Sequence, residues 1–470
     1  MSTTVAQNQE LLKQLMLLLA GSSEAFSQAR VHQRAMALVL AELMVFARHT
    51  VTQLLMALGL TEVDWSAWYR LFSAGRFDAR RASELIVQET LEHVAPDEVY
   101  VVAGDTTQTP RSSGKIEGSG WLRNLRTPRF MVGVHHAQRW FNGSWLVPAE
   151  NGYSRAIPLC WLPAFTEKST RQEHAASKEW EASVEFLTWL RDQFVAAGRP
   201  DQPILMVGDG SYDTLKLWQH LPEGVILMAR SAKNRALYDL PPDQTHGNRK
   251  YGERAPTPQE IWQQSTGWRE LTLEVRGKTR HLQVKVEGPF LRKTAPDCPL
   301  MLIVVRGKQR HRNGRLIRRD PLPFLVNAVQ DEHGQWQLPL PLETLLFWAW
   351  QRWEIEVCHR ELKSNLGLGD KQCFNPQAAV ASVQWSAWVY SLLVLAAYRT
   401  WGVCGGPTVP TRWWRGADRW SFNTLWRSYR AALWGHADFH PLWPLFLDDW
   451  LEKTLLELGL ANASYAASRA

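Results

Sequence analysis

The chain has 470 residues, with 53 Lys and Arg against 46 Asp and Glu, a formal charge of +7 and a pI near 9.2. A 45% hydrophobic and 21% charged composition excludes a disordered chain, and the length calls for about two to four domains. The basic balance favours a polyanionic partner such as nucleic acid, and the 25 Trp residues offer rings for stacking on bases or on sugars. Cys160, Cys298, Cys358, Cys373 and Cys404 form no C-x-x-C pair and have no His at zinc-finger spacing, as free thiols in a reducing cytoplasm would.

Residues 1–95 read as helical throughout. The opening MSTTVAQNQELLKQLMLLLAG has no basic leader, and Lys13 interrupts its apolar run, which argues against a signal peptide. Within RHTVTQLLMALGLTEVDWSAWYRLF, a turn at Gly59 and a cap at Asp64 outline a helix-turn-helix. Both a DNA-binding pair and a plain helical hairpin fit that outline. From Val99 the pattern becomes α/β. VYVVAGD is an apolar strand, PRFMVGVHHAQRWF and SRAIPLCWLPAF are further strands, and KEWEASVEFLTWLRDQFVAAG is an amphipathic helix. PILMVGDGSYD repeats the strand-then-acid design, and VILMAR is another strand. Residues 241–340 are turn-rich and strand-rich, a β-rich insertion. Residues 341–400 return to helix, and 401–470 read as a helical tail with interleaved Arg and Trp. The uncharged run 378–398 is long enough to span a bilayer, but its serines and Gln384 predict a buried core helix and no membrane partner.

The stretch QRWEIEVCHRELKSNLG gathers unusual chemistry on one helix face. At about 100° per residue, with Arg352 at zero, Glu356 falls near 40°, Lys363 near 20° and His359 near −20°. Glu354 and Glu361 fall near 200° and 180°, on the opposite side. A solvated face with i,i+4 ion pairs gives the same pattern. Asp105 and Asp209, however, each end an apolar strand, where α/β folds place their chemistry. Three acids on separate elements, within a basic protein, suit a divalent ion held by carboxylates and substrate phosphates.

These residues carry a resemblance. The chain resembles a DDE transposase of a bacterial insertion sequence, of the insertion-sequence-four type. Arg352, Glu356 and Lys363 match three positions of that family's Tyr-x2-Arg-x3-Glu-x6-Lys helix, and Ala349 stands where the pattern has Tyr, with Trp348 or Trp350 as substitutes. Asp105 with Thr107 matches the first acid, and Asp209 with Tyr212 the second. The resemblance implies an RNase H-like mixed-sheet core (96–240 and 341–400) interrupted by the β-rich insertion, with a helical N-terminal domain and a helical tail. It implies that Asp105, Asp209 and Glu356 coordinate two Mg2+ ions, with Mn2+ able to substitute. Cleavage at transposon ends would be followed by strand transfer into target DNA, through a hairpin intermediate. It further implies a homodimer on double-stranded DNA, in the bacterial cytoplasm and at the nucleoid when bound. Arg352 and Lys363 would hold phosphates.

Lys115, Arg123, Arg126 and Arg129, in RSSGKIEGSGWLRNLRTPR, form one further phosphate-contact surface. A second is the run Arg306, Lys308, Arg310, Arg312, Arg315, Arg318 and Arg319 around an Asn313–Gly314 turn. Trp262, Trp268 and Trp336 are candidates for holding a flipped base, with core packing as the alternative for each. Two rivals remain: a transposase-derived DNA binder without activity, suggested by Ala349, and a carbohydrate enzyme, which leaves the basic run unexplained.

Overall fold

The computed structural model describes residues 3–124, 131–242, 250–306, 310–312, 315–317, 320–407 and 419–435. Five helices open the chain: α1 (Thr3–Gly21), α2 (Ala29–Met44), α3 (Val51–Ala57), α4 (Ser66–Ser73) and α5 (Ala79–Leu91). Thr50 and Asp78 cap α3 and α5 by accepting the backbone N–H of Gln53 and Arg81. Gly59 takes φ 72° in the turn after α3. Asp64 accepts the Ser66 N–H at 2.9 Å, but the cap residue of α4 is Trp65, one place later than expected.

The central sheet follows the α/β reading. Its first half contains β1 (Tyr100–Pro110), β2 (Gly120–Arg123), β3 (Val134–Leu146), β4 (Ala156–Pro163), β5 (Ile204–Gly208) and β6 (Val225–Arg230). Helix α6 (Glu179–Ala196) crosses from β4 to β5, and the short α7 (Leu215–Gln219) joins β5 to β6. Strand β3 runs antiparallel to β1 and β4 antiparallel to β3, while β5 and β6 lie parallel on the other side of β1. That is an RNase H-like arrangement.

The insertion is β-rich as expected and interrupts the core along the chain, and in space its strands extend the same sheet. After β6 come β7 (Tyr238–Asp239), just ahead of the insertion, and then its elements α8 (Pro258–Gln263), β8 (Arg269–Glu274), β9 (Thr279–Arg292), β10 (Ala295–Arg306), β11 (Arg310–Arg312), β12 (Arg315–Ile317), β13 (Leu322–Asn327), β14 (Val329–Gln330) and β15 (Trp336–Gln337). Strand β13 pairs antiparallel with β6, β10 with β13, and β9 with β10, giving an eleven-stranded sheet among the described residues. The reason lies in β6, whose residues Val225–Ala229 are all buried. An apolar edge of that kind needs a partner strand.

Helices α9 (Leu342–Gln351), α10 (Trp353–Asn365), α11 (Pro376–Trp401) and α12 (Phe422–Gly435) complete the fold. Helix α11 is long and apolar enough to cross a membrane, yet 89% of its apolar window is buried inside the protein. Helices α1, α4 and α5 pack on it, as does β4, so the N-terminal helices share its core.

Candidate active site

The parallel register of β1 and β5 pairs Tyr100 with Ile204 and Ala103 with Val207, an offset of 104 residues. Asp105 and Asp209 are separated by the same 209 − 105 = 104 positions, so the register carries both acids to one level of the sheet. Asp105 does not end its strand, as the sequence suggested. It sits two residues past the last β5 pair, while β1 continues to Pro110 on β3. Asp209 does follow β5 directly. Gly208 permits the turn there, because a Cβ would lie 2.8 Å from that of Tyr212. The side chain of Asp209 accepts the Ser211 N–H and hydroxyl. Asp213, four residues on, is a different kind of acid: fully buried and clamped by Arg235 and by Arg292 at 2.9 Å.

Glu356 comes from α10. The expected single helix is split, since Arg352 ends α9 and begins α10, and Ile355 N–H donates to Arg352 O at i−3. The split leaves Glu356 in the first turn of α10, where the positive end of the helix favours a carboxylate. Arg352 bridges two of the acids. Its Nη2 donates to Glu356 Oε1 at 2.6 Å, and its Nη1 lies 3.8 Å from Asp105 Oδ2. That Nη1 is buried without a hydrogen-bond partner. This is the i,i+4 pair of a solvated face in spacing only, because Arg352 and Asp105 are both more than four-fifths buried. Lys363 Nζ donates to Thr107 Oγ1 at 2.5 Å, which ties the end of α10 to β1.

The Asp105 carboxyl is pushed up to about 7, first by burial and then by Asp209, while Arg352 and the Thr106 N–H draw it back and Glu356 adds a smaller upward push. The three acids therefore share one electrostatic field. No three His, Cys, Asp or Glu side chains among the described residues stand close enough to cage an ion. A hard divalent ion such as Mg2+ does not require a cage: one or two carboxylates suffice when phosphates complete the shell. Hard oxygen donors around an under-neutralised Asp105, with a guanidinium N–H beside them that makes no hydrogen bond, fit such an ion and a phosphate together.

Other sequence candidates fall into place unevenly. Lys115 and Arg123 are exposed, on the turn before β2 and at its end. Arg126 and Arg129 lie outside the described residues, as do Lys308, Arg318, Arg319 and the side chains of Arg310, Arg312 and Arg315. The backbone does form the expected hairpin, with Arg312 opposite Arg315. Trp268 has Arg306 4.2 Å from its ring centroid and Lys285 at 5.7 Å, so cations occupy its surroundings. Trp262 packs against the core, and Trp336 pairs with Gln330 in the β14–β15 ladder. Ala349 and Trp350 line a cleft of about 420 Å3 with Asp209, Arg230, Arg235 and Arg352, whereas Trp348 packs on Phe347.

Sequence reasoning passed over two features. Periodicity placed His359 on the stripe and gave it no partner, but His359 is buried with Nε2 3.1 Å from Asn142 Nδ2. Glu354 and Glu361 were simply the far face. Both are buried: Glu354 is held by Arg276 at 2.7 Å and Arg419 at 2.8 Å, and Glu361 by Arg155 at 3.5 Å and the Tyr390 hydroxyl at 2.7 Å.

The sequence matches the family described as DDE superfamily endonuclease over residues 23–286, more than half of the chain. The chain belongs to this family. No curated protein matches it. The matched segment of this DDE endonuclease contains Asp105 and Asp209 and stops short of Glu356, which the fold adds to the same site. Membership makes the protein an enzyme of the nuclease and transposase kind, acting on DNA with divalent metal ions.

Proposed function

We propose that this DDE endonuclease is a transposase of the insertion-sequence-four type, cutting at transposon ends through a hairpin intermediate and joining the freed ends to target DNA. The observation that carries the reading is the shared field of Asp105, Asp209 and Glu356, with Arg352 set between two of them. The three carboxylates would hold two Mg2+ ions, or Mn2+ in their place. Such ions, when bound, activate the attacking oxygen and stabilise the leaving one in an in-line displacement. The chain's own part is to orient DNA. The Nη1 of Arg352, which has no hydrogen-bond partner, supplies a donor for a phosphate oxygen beside Asp105, and Lys363 adds positive charge along the same face. Water first breaks the strand at the transposon end and leaves a 3′-hydroxyl. That hydroxyl attacks the opposite strand and displaces the flanking 3′-oxygen, closing a hairpin at the transposon end. Water reopens the hairpin and restores the 3′-hydroxyl, which then attacks a target phosphodiester and displaces a target 3′-oxygen. At each step one bond forms as one breaks.

Lys115, Arg123 and Arg126, with Arg310, Arg312 and Arg315 of the β11–β12 hairpin, would contact the backbone away from the cut, where phosphate contacts position without reading sequence. On this reading residues 1–95 form a helical unit whose α3–α4 pair binds DNA, a homodimer pairs two ends, and the enzyme works in the bacterial cytoplasm at the nucleoid.

The test is nicking of DNA carrying the sequence that flanks the protein's own reading frame. Nicks are expected with Mg2+ and none with chelator; intact DNA at every metal concentration would overturn the reading. A pH dependence follows from Asp105. Its raised pKa makes protons compete with metal below pH about 7. The Mg2+ needed for half-maximal nicking should therefore fall as pH rises towards 7, by up to about tenfold per unit, and level off above it.

A further inference from the structure

We propose that Asn142 and His359 are positioning residues, whose hydrogen bond sets the rotation of α10 about its own axis and so the direction in which Glu356 faces Asp105. The proposal rests on the reading of Glu356 as a metal-holding carboxylate. Asn142 lies directly opposite Asp105 in the β1–β3 ladder. Cross-strand partners project from the same face of a sheet, so the amide rises beside the catalytic acid and towards α10, which packs on β1 and β4.

The bond is directional. Asn142 is wholly buried, its Oδ1 accepts the Ser144 hydroxyl at 3.1 Å, and its Nδ2 faces His359 Nε2 at 3.1 Å. An amide nitrogen only donates, so Nε2 accepts and the ring proton sits on Nδ1. Burial, helped by Lys363 and Arg352, pushes His359 down to about 3 and keeps that lone pair available. The ring also meets Trp161 edge-on at 5.6 Å.

Position gives the bond its effect. His359 lies three residues, nearly one turn, beyond Glu356, so the two project from neighbouring parts of one face. The inward face of α10, with Ile355, Cys358 and Leu362, is apolar and fully buried, and apolar packing is non-directional. Glu354 and Glu361 anchor the side of the helix opposite Glu356, and Lys363 its last turn. The Asn142 bond is the tie that leads from α10 to the residue paired with Asp105. An active-site displacement of about 1 Å can cost about 100-fold, so a small rotation here separates carboxylates that must share ions.

The experiment uses the full chain with a short DNA duplex and Mn2+ as probe, counting free Mn2+ by electron paramagnetic resonance. It compares wild type with His359→Leu, Asn142→Leu, the double variant, His359→Gln and Glu356→Gln. The Gln at 359 offers an acceptor oxygen to Asn142. Each Leu variant is expected to weaken Mn2+ binding by about tenfold. The double variant should be no worse than either single one, and His359→Gln should retain most of the affinity. Duplex affinity and metal-free melting should change little beside that loss. Wild-type Mn2+ affinity in the Leu variants would overturn the proposal. So would losses that follow melting temperature through the whole series, His359→Gln included, since packing alone would then explain them. If Glu356→Gln binds Mn2+ as wild type does, the reading of Glu356 has failed, and the positioning role falls with it.

Discussion

Replacing Glu356 with Gln is expected to lower metal-dependent nicking by about a thousandfold, several kcal/mol of transition-state stabilisation, while changing DNA affinity only a few-fold. Gln keeps the shape of the side chain and the oxygen that accepts Arg352 Nη2 at 2.6 Å. It removes the charge that a divalent ion needs, and with it the upward push of Glu356 on Asp105. The substituted protein should therefore melt no lower than wild type without metal. Single-turnover nicking and a binding titration on the same DNA separate the two effects. Nicking retained within tenfold would take Glu356 out of the chemistry, whatever its spacing from Arg352 and Lys363.

The largest stability effect is expected two residues earlier. Glu354 is almost wholly buried and holds two arginines from distant segments, Arg276 in the β8–β9 turn and Arg419 ahead of α12. Arg276 is itself strained, with φ 57°, and its N–H donates to Gly152 O at 2.7 Å. Burial lowers the pKa of Arg276, and Glu354 works against that loss. Removing one partner from a buried charge cluster leaves the others uncompensated, typically at about 3–5 kcal/mol. Glu354→Ala should cost an amount of that order, and Glu354→Gln less, because the amide oxygen still accepts from one guanidinium. Denaturant unfolding of the two variants checks this; a loss below about 1 kcal/mol for Glu354→Ala would mean that the junction is not an anchor.

How far the sequence could be read depended on the range of each contact. The Arg352, Glu356 and Lys363 stripe was legible because helical periodicity is local, and the observed Arg352–Glu356 pair spans four residues. The strand-then-acid pattern marked Asp105 and Asp209 for the same reason, and their separation turned out to equal the register offset of β1 and β5. Periodicity shows which way a side chain points but not what lies across from it. Glu354 meets partners 78 and 65 residues away, and His359 meets Asn142 at a separation of 217. The sheet-extending role of β9, β10 and β13 was hidden likewise. A strand's sequence records its burial, whereas its neighbour is chosen by the free edge of β6. The splitting of the helix at Arg352 left no mark either, because no Gly or Pro stands there.

The most direct measurement of the central claim is anomalous X-ray scattering from crystals of the full chain with DNA and Mn2+, collected at the manganese edge. Peaks are expected within about 2.0–2.3 Å of carboxylate oxygens of Asp105, Asp209 and Glu356, with a DNA phosphate completing the shell. The claim is contradicted if manganese binds DNA or other side chains while Arg352 still bridges Asp105 and Glu356 and no peak touches the three acids.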